Sequence, residues 1–115
     1  MNNSDRSGVI SFADCSAGIP GPAGERSFSF LQRGTLNVKL SRPVPPNRQA
    51  PHAQDELYIV VNGRGVLVHG GRRDPFGTGD LLFVAAGEEH CFEDFSEDLA
   101  IWVVFYGPQG GEVPA

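Results

Sequence analysis

The sequence has 115 residues, the size of a single domain, and carries 14 acidic against nine basic residues, a formal net charge of −5. The acidic balance argues against nucleic-acid binding, which needs clustered lysine and arginine side chains. Fifteen glycines and nine prolines exclude long helices and indicate short strands joined by turns. No apolar run reaches the length of a membrane span, and residues 1–6 lack a signal-peptide pattern, so we expect a cytoplasmic protein.

The first 26 residues are weakly patterned. Val9, Ile10 and Phe12 predict a short edge strand. Residues 16–24 predict a loop, because glycine and proline dominate them. We therefore expect an N-terminal arm over residues 1–26, made of an edge strand and a loop.

Two alternating segments come next. Phenylalanines alternate with serines over residues 27–30, and Leu36, Val38 and Leu40 share one face of a second strand. Gly34 between the two segments predicts a tight hairpin turn. Residues 41–47 contain three prolines, which remove ladder donors, so this stretch is an extended connection and not an interior strand.

The next segment holds the strongest candidate residues. A strand is predicted from about residue 55 to 61, and alternate side chains of a strand point to one face. On this basis His52, Gln54, Glu56 and Tyr58 project together. A buried carboxylate without a partner is costly, so an inward Glu56 indicates a site and not mere packing.

The other face of this strand is also apolar, with Leu57, Ile59 and Val61. A strand that is apolar on both faces is typically covered by a second layer, and we expect that layer to be a partner subunit in a homodimer. The strand ends at the dipeptide 62–63, Asn-Gly, a strong hairpin signal.

The remainder continues as short strands separated by turns. Residues 65–69 lead to a Gly-Gly turn, and further strands are predicted near 72–76, 81–84, 90–95 and 100–106. This spacing is typical of an all-β sandwich or barrel. Residues 107–115 show no core pattern, and we expect a flexible C-terminal tail there.

The spacing His52-x3-Glu56-x6-Gly63 resembles the latter part of the first motif of the cupin superfamily, G-x5-H-x-H-x3/4-E-x6-G. The resemblance implies a small single-domain bacterial cupin, whose fold is an all-β double-stranded β-helix, or jelly-roll barrel. The barrel is expected over residues 27–106.

The second motif of the family, G-x5-P-x-G-x2-H-x3-N, is matched from Gly79 to Asp94, with Ala85 in place of its proline and Asp94 in place of its asparagine. Carried over residue by residue, the resemblance implies His52, Glu56 and His90 as ligands of one divalent metal, Fe, Mn, Ni or Zn.

The family's first motif supplies one more histidine, and Ala50 occupies that position. Three interpretations are open. The metal is held by two histidines and a carboxylate with more open positions; or Gln54 supplies an oxygen ligand; or no metal binds and the polar trio lines a ligand pocket.

Several neighbours are assigned by strand parity. Tyr58 and Phe92 are expected to form pocket wall with Gln54, and Asp94 is expected at the barrel mouth as an acceptor behind the ligands. His69 adjoins the Gly-Gly turn, so we expect an exposed hairpin residue there and not a ligand.

The sequence supports two functions of different classes. One is a metal-dependent oxygenase, isomerase or cyclase that acts on a small organic molecule. The alternative is a non-catalytic small-molecule-binding or pathway-accessory cupin without a bound metal. The fold hosts many unrelated functions, and no residue specifies the substrate or a catalytic group.

Overall fold

A computed structural model describes residues 7–115. This part of the chain forms one short helix and eight strands: α1 (Phe12–Ala17), β1 (Ser27–Arg33), β2 (Leu36–Ser41), β3 (Asp55–Asn62), β4 (Arg64–His69), β5 (Arg72–Gly77), β6 (Leu81–Val84), β7 (His90–Glu93) and β8 (Ala100–Tyr106).

The strands form two antiparallel sheets packed against each other. One sheet has five strands in the order β1-β2-β8-β3-β6, and the other has three in the order β5-β4-β7. The main core lies between them and draws side chains from both sheets: Tyr58, Val60, Leu67, Phe76, Val84, Phe92, Leu99, Ile101 and Val103. This arrangement confirms the predicted all-β jelly-roll barrel.

The dipeptide at 62–63 does not make the hairpin that its sequence predicts. In the described chain β3 pairs with β8 and β6, whereas β4 pairs with β5 and β7. Both edges of β3 are therefore occupied, and the turn carries the chain from one sheet to the other. Gly63 has φ +97° and packs so closely on Leu99 that a Cβ would lie 2.8 Å from that residue's Cα. The glycine thus serves a close crossing between sheets.

The predicted edge strand in the arm is wrong, because the helix α1 begins at Phe12. Ser11 caps it by accepting a hydrogen bond from the backbone N–H of Asp14 at 3.2 Å. Side chains of this segment pack on the outer face of the five-stranded sheet, where the Phe12 ring meets Trp102 edge-on at 6.4 Å. The apolar residues of the arm therefore cover a sheet face instead of extending a sheet edge.

The alternation of β2 separates two environments. Leu40 is fully buried in the cluster beneath α1, so the apolar face of β2 points outward. Lys39 is the cross-strand partner of Val103, a residue of the main core, and therefore points into the barrel.

The C-terminal segment is held to the barrel as far as Glu112. The N–H of Gly110 donates to the carbonyl of Ala53 at 2.7 Å, and the N–H of Glu112 donates to the Asp55 carboxylate at 2.9 Å. Amides of this segment therefore find acceptors next to β3, and the flexible tail from residue 107 stays a prediction. The division into arm, barrel and tail otherwise stays a prediction.

Within residues 7–115 no helix is long and apolar enough to cross a membrane.

Candidate metal centre

Three elements bring the predicted ligands together. His52 lies in the connection before β3, Glu56 is the second residue of β3, and His90 begins β7 on the opposite sheet. One ligand atom from each lies within 4.8 Å of the others. His52 does not belong to the strand itself, so the barrel, and not strand parity, brings it to Glu56.

The orientation of His90 is fixed by the backbone. Its Nδ1 lies 2.9 Å from the carbonyl oxygen of Glu88, so Nδ1 carries the proton and donates. In the neutral imidazole the lone pair of Nε2 then points into the barrel, 3.1 Å from Glu56 Oε1 and 3.0 Å from the Tyr58 hydroxyl. A metal-ligating histidine is typically held in this way, with its other nitrogen bonded to a carbonyl.

The surroundings of His90 act on its pKa in opposite directions. Burial alone lowers the pKa, but hydrogen bonding to Glu56 and to the carbonyl of Glu88, with the charges of both carboxylates, outweighs burial and raises it above the ordinary value. The same pocket therefore favours a cation at Nε2.

The surroundings of Glu56 also favour a cation at Nε2 of His90. The side chain is 2% exposed, and within residues 7–115 its Oε1 has no hydrogen-bond partner of acceptable geometry, although Nε2 of His90 is close. A buried carboxylate oxygen facing a nitrogen lone pair is unfavourable without a cation between them. Two ligands about 2.1 Å from a common ion lie roughly 3.0 to 3.4 Å apart, which matches the observed 3.1 Å. The residues therefore fit a metal ion.

His52 is held by two ring contacts and one backbone hydrogen bond. Its ring packs on Phe105 with centroids 4.6 Å apart and planes at 63°, and lies 5.8 Å from the ring of His90. Its carbonyl accepts a 2.7 Å hydrogen bond from the N–H of Gly87 in the β6–β7 connection. The glycine of the second motif and the histidine of the first are thus directly joined.

Tyr58 places a hydroxyl behind the ligands. Burial, followed by the negative charge and hydrogen bonding of Glu56, raises the pKa of the phenol far above its ordinary value, so it remains protonated. Its oxygen lies 3.0 Å from Gln49 Oε1 and 3.0 Å from His90 Nε2. With a cation on Nε2, the hydroxyl donates to Gln49.

The site opens into a cavity of about 340 Å³, a volume at the lower end for small-molecule sites. Phe92 and Ala50 are among the residues that line it. The complete lining is Ser27, Lys39, Ser41, Asn47, Arg48, Gln49, Ala50, His52, Glu56, Tyr58, Phe92, Val103 and Phe105.

Two predicted pocket residues lie elsewhere. Nε2 of Gln54 donates to the carbonyl oxygens of Thr35 and Gly107, both at 2.9 Å, and the side chain fastens the C-terminal segment. It sits before β3, so strand alternation does not apply to it. Asp94 is on the outside, with a 76% exposed side chain 3.2 Å from Arg73, because its φ of +51° turns the chain out of strand geometry.

His69 is less exposed than expected, with 17% of its side chain accessible. Its Nε2 lies 2.7 Å from Asp74 and its Nδ1 3.1 Å from Glu88. The hydrogen bond to Asp74 is the main cause of a raised pKa, since both carboxylates favour the imidazolium. With both nitrogens engaged outside the cavity, His69 is not part of the ligand group.

Sequence patterns did not predict the cavity wall that the proline-rich connection forms. Asn47 Oδ1 accepts a 2.8 Å bond from the N–H of Phe92 and a 2.7 Å bond from Gln49 Nε2. These side chains tie the connection across the barrel mouth. The one available signal was the polar run 47–49, shortly before His52.

Comparison with known proteins identifies the family. The model of the Cupin domain family matches residues 43–106, more than half of the sequence. The chain belongs to the cupin family. The family resemblance is thereby confirmed, and both motif matches, residues 50–63 and 79–94, lie within the matched range.

Three known proteins are similar to this chain over 70% or more of its length. An uncharacterized protein of Streptomyces coelicolor is 44% identical over 84 residues, which are 71% of this chain and 80% of the relative. A protein of unknown function from Rhizobium leguminosarum has a TM-score of 0.69 at 20% identity, covering 90% of this chain and 99% of its own. The Fe(II) form of HppE, in complex with substrate, has a TM-score of 0.58 at 15% identity, covering 70% and 53%. At these identities the two solved structures show the fold alone.

Proposed function

We propose that the protein holds one divalent transition-metal ion between His52, Glu56 and His90, and acts on a small organic molecule bound beside it. The observation that carries this proposal is the contact between His90 and Glu56. A nitrogen with a free lone pair lies 3.1 Å from a buried carboxylate oxygen that lacks a hydrogen-bond donor among residues 7–115. A cation at that point satisfies both atoms.

The ligand chemistry favours Fe(II), since two histidines and a carboxylate with open positions suit that ion, and Mn, Ni or Zn also accept such a set. A divalent ion on these ligands supplies a Lewis acid that polarises an oxygen of the bound molecule.

The surrounding residues bind and orient the small molecule, and they exclude water from it. Phe92, Val103 and Phe105 form an apolar wall, and the hydroxyl of Tyr58, which donates to Gln49, holds its oxygen beside the ligands. This combination suits an oxygenase, isomerase or cyclase. The alternative is a non-catalytic binding or accessory cupin without metal, which Ala50 in place of the motif histidine favours.

Elemental analysis tests the proposal. Untagged protein is dialysed against a mild chelator, and its metal content is compared with that of His52→Ala and His69→Ala. We expect about one equivalent of metal in the wild type and in His69→Ala, and a loss in His52→Ala. His69 is the matched control, because it lies outside the cavity. Folded, metal-free wild-type protein would contradict the metal proposal and favour the alternative.

A second copy of the chain is the proposed partner. On the outer face of the five-stranded sheet, Ile59, Leu81 and Phe83 are 42%, 64% and 51% exposed. Ile59 and Leu81 are cross-strand partners, and Phe83 pairs with Leu57 on the same face. A contiguous apolar surface of this kind is typical of an interface. A cytoplasmic location stays a prediction.

A further inference from the structure

The charge of the cavity is opposite to that of the molecule. The protein carries a net charge of −5, yet the cavity wall includes two cationic side chains, Lys39 and Arg48. Among the described residues that line the cavity, Glu56 is the one carboxylate, and the proposed metal ion would neutralise it. The interior therefore presents positive charge to anything that enters.

Lys39 is the single lysine of the sequence. It is half-buried on β2 and points into the barrel between Val103 on one side and Ser29 on the other. Its ammonium group forms no ion pair or side-chain hydrogen bond with residues 7–115. A half-buried ammonium on an inward face, with no partner among the described residues, is available to bind an anion that enters the cavity.

Hydroxyl donors adjoin this lysine. Ser27 and Ser41 line the same cavity and are cross-strand partners on β1 and β2, and Ser41 shares the inward face with Lys39 two residues away. An ammonium group flanked by hydroxyls is a set of donors without a strong acceptor. Such a set suits the several oxygen atoms of a carboxylate or a similar anion.

The sheet register sets the span between the two ends of the site. Lys39 pairs with Val103, and Val103 pairs with Tyr58, so two strand spacings separate Lys39 from the strand that carries Glu56. Two spacings are roughly 10 Å between backbones, and the side chains reach toward each other across the cavity. A molecule of a few carbon atoms is long enough to bridge them.

We propose that the ligand of this cavity is a small anionic molecule, and that Lys39 binds its carboxylate or equivalent anionic group while the opposite end lies at the His52–Glu56 wall. The proposal names the substrate class. It rests on the proposed function only for the end of the molecule that lies at the metal ligands. Lys39 is thus a specificity-determining residue, and Arg48, exposed at the cavity mouth, attracts the anion during entry.

The single lysine makes a direct experiment possible. Reductive methylation with 13C-formaldehyde keeps the positive charge and gives one lysine signal, identified by its absence in Lys39→Arg. The metal-loaded protein is titrated at low salt with malonate, succinate and glutarate, and with succinamide as the uncharged control. We expect the Lys39 signal to shift with at least one dicarboxylate and to remain unchanged with succinamide.

Calorimetry on the unmethylated protein provides the affinity. Lys39→Met keeps the aliphatic stem and is expected to weaken dicarboxylate binding about tenfold, the usual effect of losing a charged hydrogen bond. Lys39→Arg should restore most of the affinity, and Arg48→Met should reduce it less. Binding that is unchanged in Lys39→Met, or no binding of any of the three dicarboxylates to the wild type, overturns the proposal.

The metal content of each sample separates the two proposals. A dicarboxylate-dependent shift of the Lys39 signal in protein that holds no metal would leave the anion site standing and remove the metal function. Protein that holds metal but shows no shift would leave the metal function standing and remove the anion site.

Discussion

Replacing Glu56 with glutamine tests the reasoning behind the metal centre through the stability of the metal-free protein. In the chelated wild type at about pH 9, above the ordinary range of a histidine pKa, the neutral His90 directs its lone pair at Glu56 Oε1, which has no donor in the described chain. The amide of Glu56→Gln donates a hydrogen bond to that lone pair. The variant is therefore expected to be more stable than the wild type under these conditions.

The magnitude follows from the burial of both groups. A buried unsatisfied polar atom costs about 1 to 3 kcal/mol, and 1 kcal/mol corresponds to roughly 4 °C in Tm for a domain of this size. Glu56→Gln should therefore raise Tm by about 4 to 12 °C in chelator at high pH. The pKa of His90 is raised in the folded protein, so its pairing with Glu56 is fully present below the ordinary pKa and lost as pH rises through the raised one. At about pH 5.5 the wild type should accordingly have the higher Tm, the reverse of the order at high pH.

The assay is thermal unfolding followed by circular dichroism, in chelator and with added metal. Metal at about a hundred times its Kd stabilises the wild type by roughly 2.7 kcal/mol, near 10 °C, and should not stabilise Glu56→Gln. Glu89→Gln is the matched control, because it removes the same charge from an exposed position beside His90. A variant that is less stable than the wild type at high pH, or equal stabilisation of both by metal, would refute the reasoning.

Three further outcomes are expected. Ala50→His adds an imidazole at the cavity and should tighten metal binding, measured by competition with a chelator; unchanged affinity would mean that position 50 cannot reach the ion. His69→Gln removes an imidazolium whose pKa is raised by its two carboxylate partners, so the wild type should lose stability relative to the variant as pH rises from about 6 to about 9; parallel Tm profiles would contradict this. Leu81→Glu with Phe83→Glu places charge on the exposed sheet face and should convert the expected dimer to a monomer in analytical ultracentrifugation, whereas a wild type that is already monomeric would show that the face needs no second copy.

Strand positions were predictable because alternation and glycine turns report local geometry. The hairpin at Gly34 and the turn at the paired glycines 70 and 71, all with positive φ, occur as predicted. The crossing at Gly63 was not predictable, since a glycine turn has the same local signature whether it joins paired strands or two sheets. Pairing is decided by long-range contacts that a local pattern does not contain.

It was harder to predict which face of a strand points into the barrel than to predict where the strand lies in the sequence. The apolar side of β2, with Leu40, is covered by α1, and its polar side, with Lys39, faces the cavity. Alternation alone favours the opposite orientation, because it takes no account of a helix outside the sheet or of a polar interior. The grouping of His52, Glu56 and His90 was accessible through motif spacing, and their roles as ligands stay a prediction.

The carboxylate of Asp55 joins three parts of the chain at one point. It accepts hydrogen bonds from the N–H of Ala86 and the N–H of Glu112, and it directly precedes Glu56. Exchange of these two amides with deuterium therefore reports how firmly the ligand strand is held. Tight binding in the cavity should slow exchange at Ala86 and Glu112, although neither residue lines it. The two amides thus offer a readout of occupancy that needs no knowledge of the reaction.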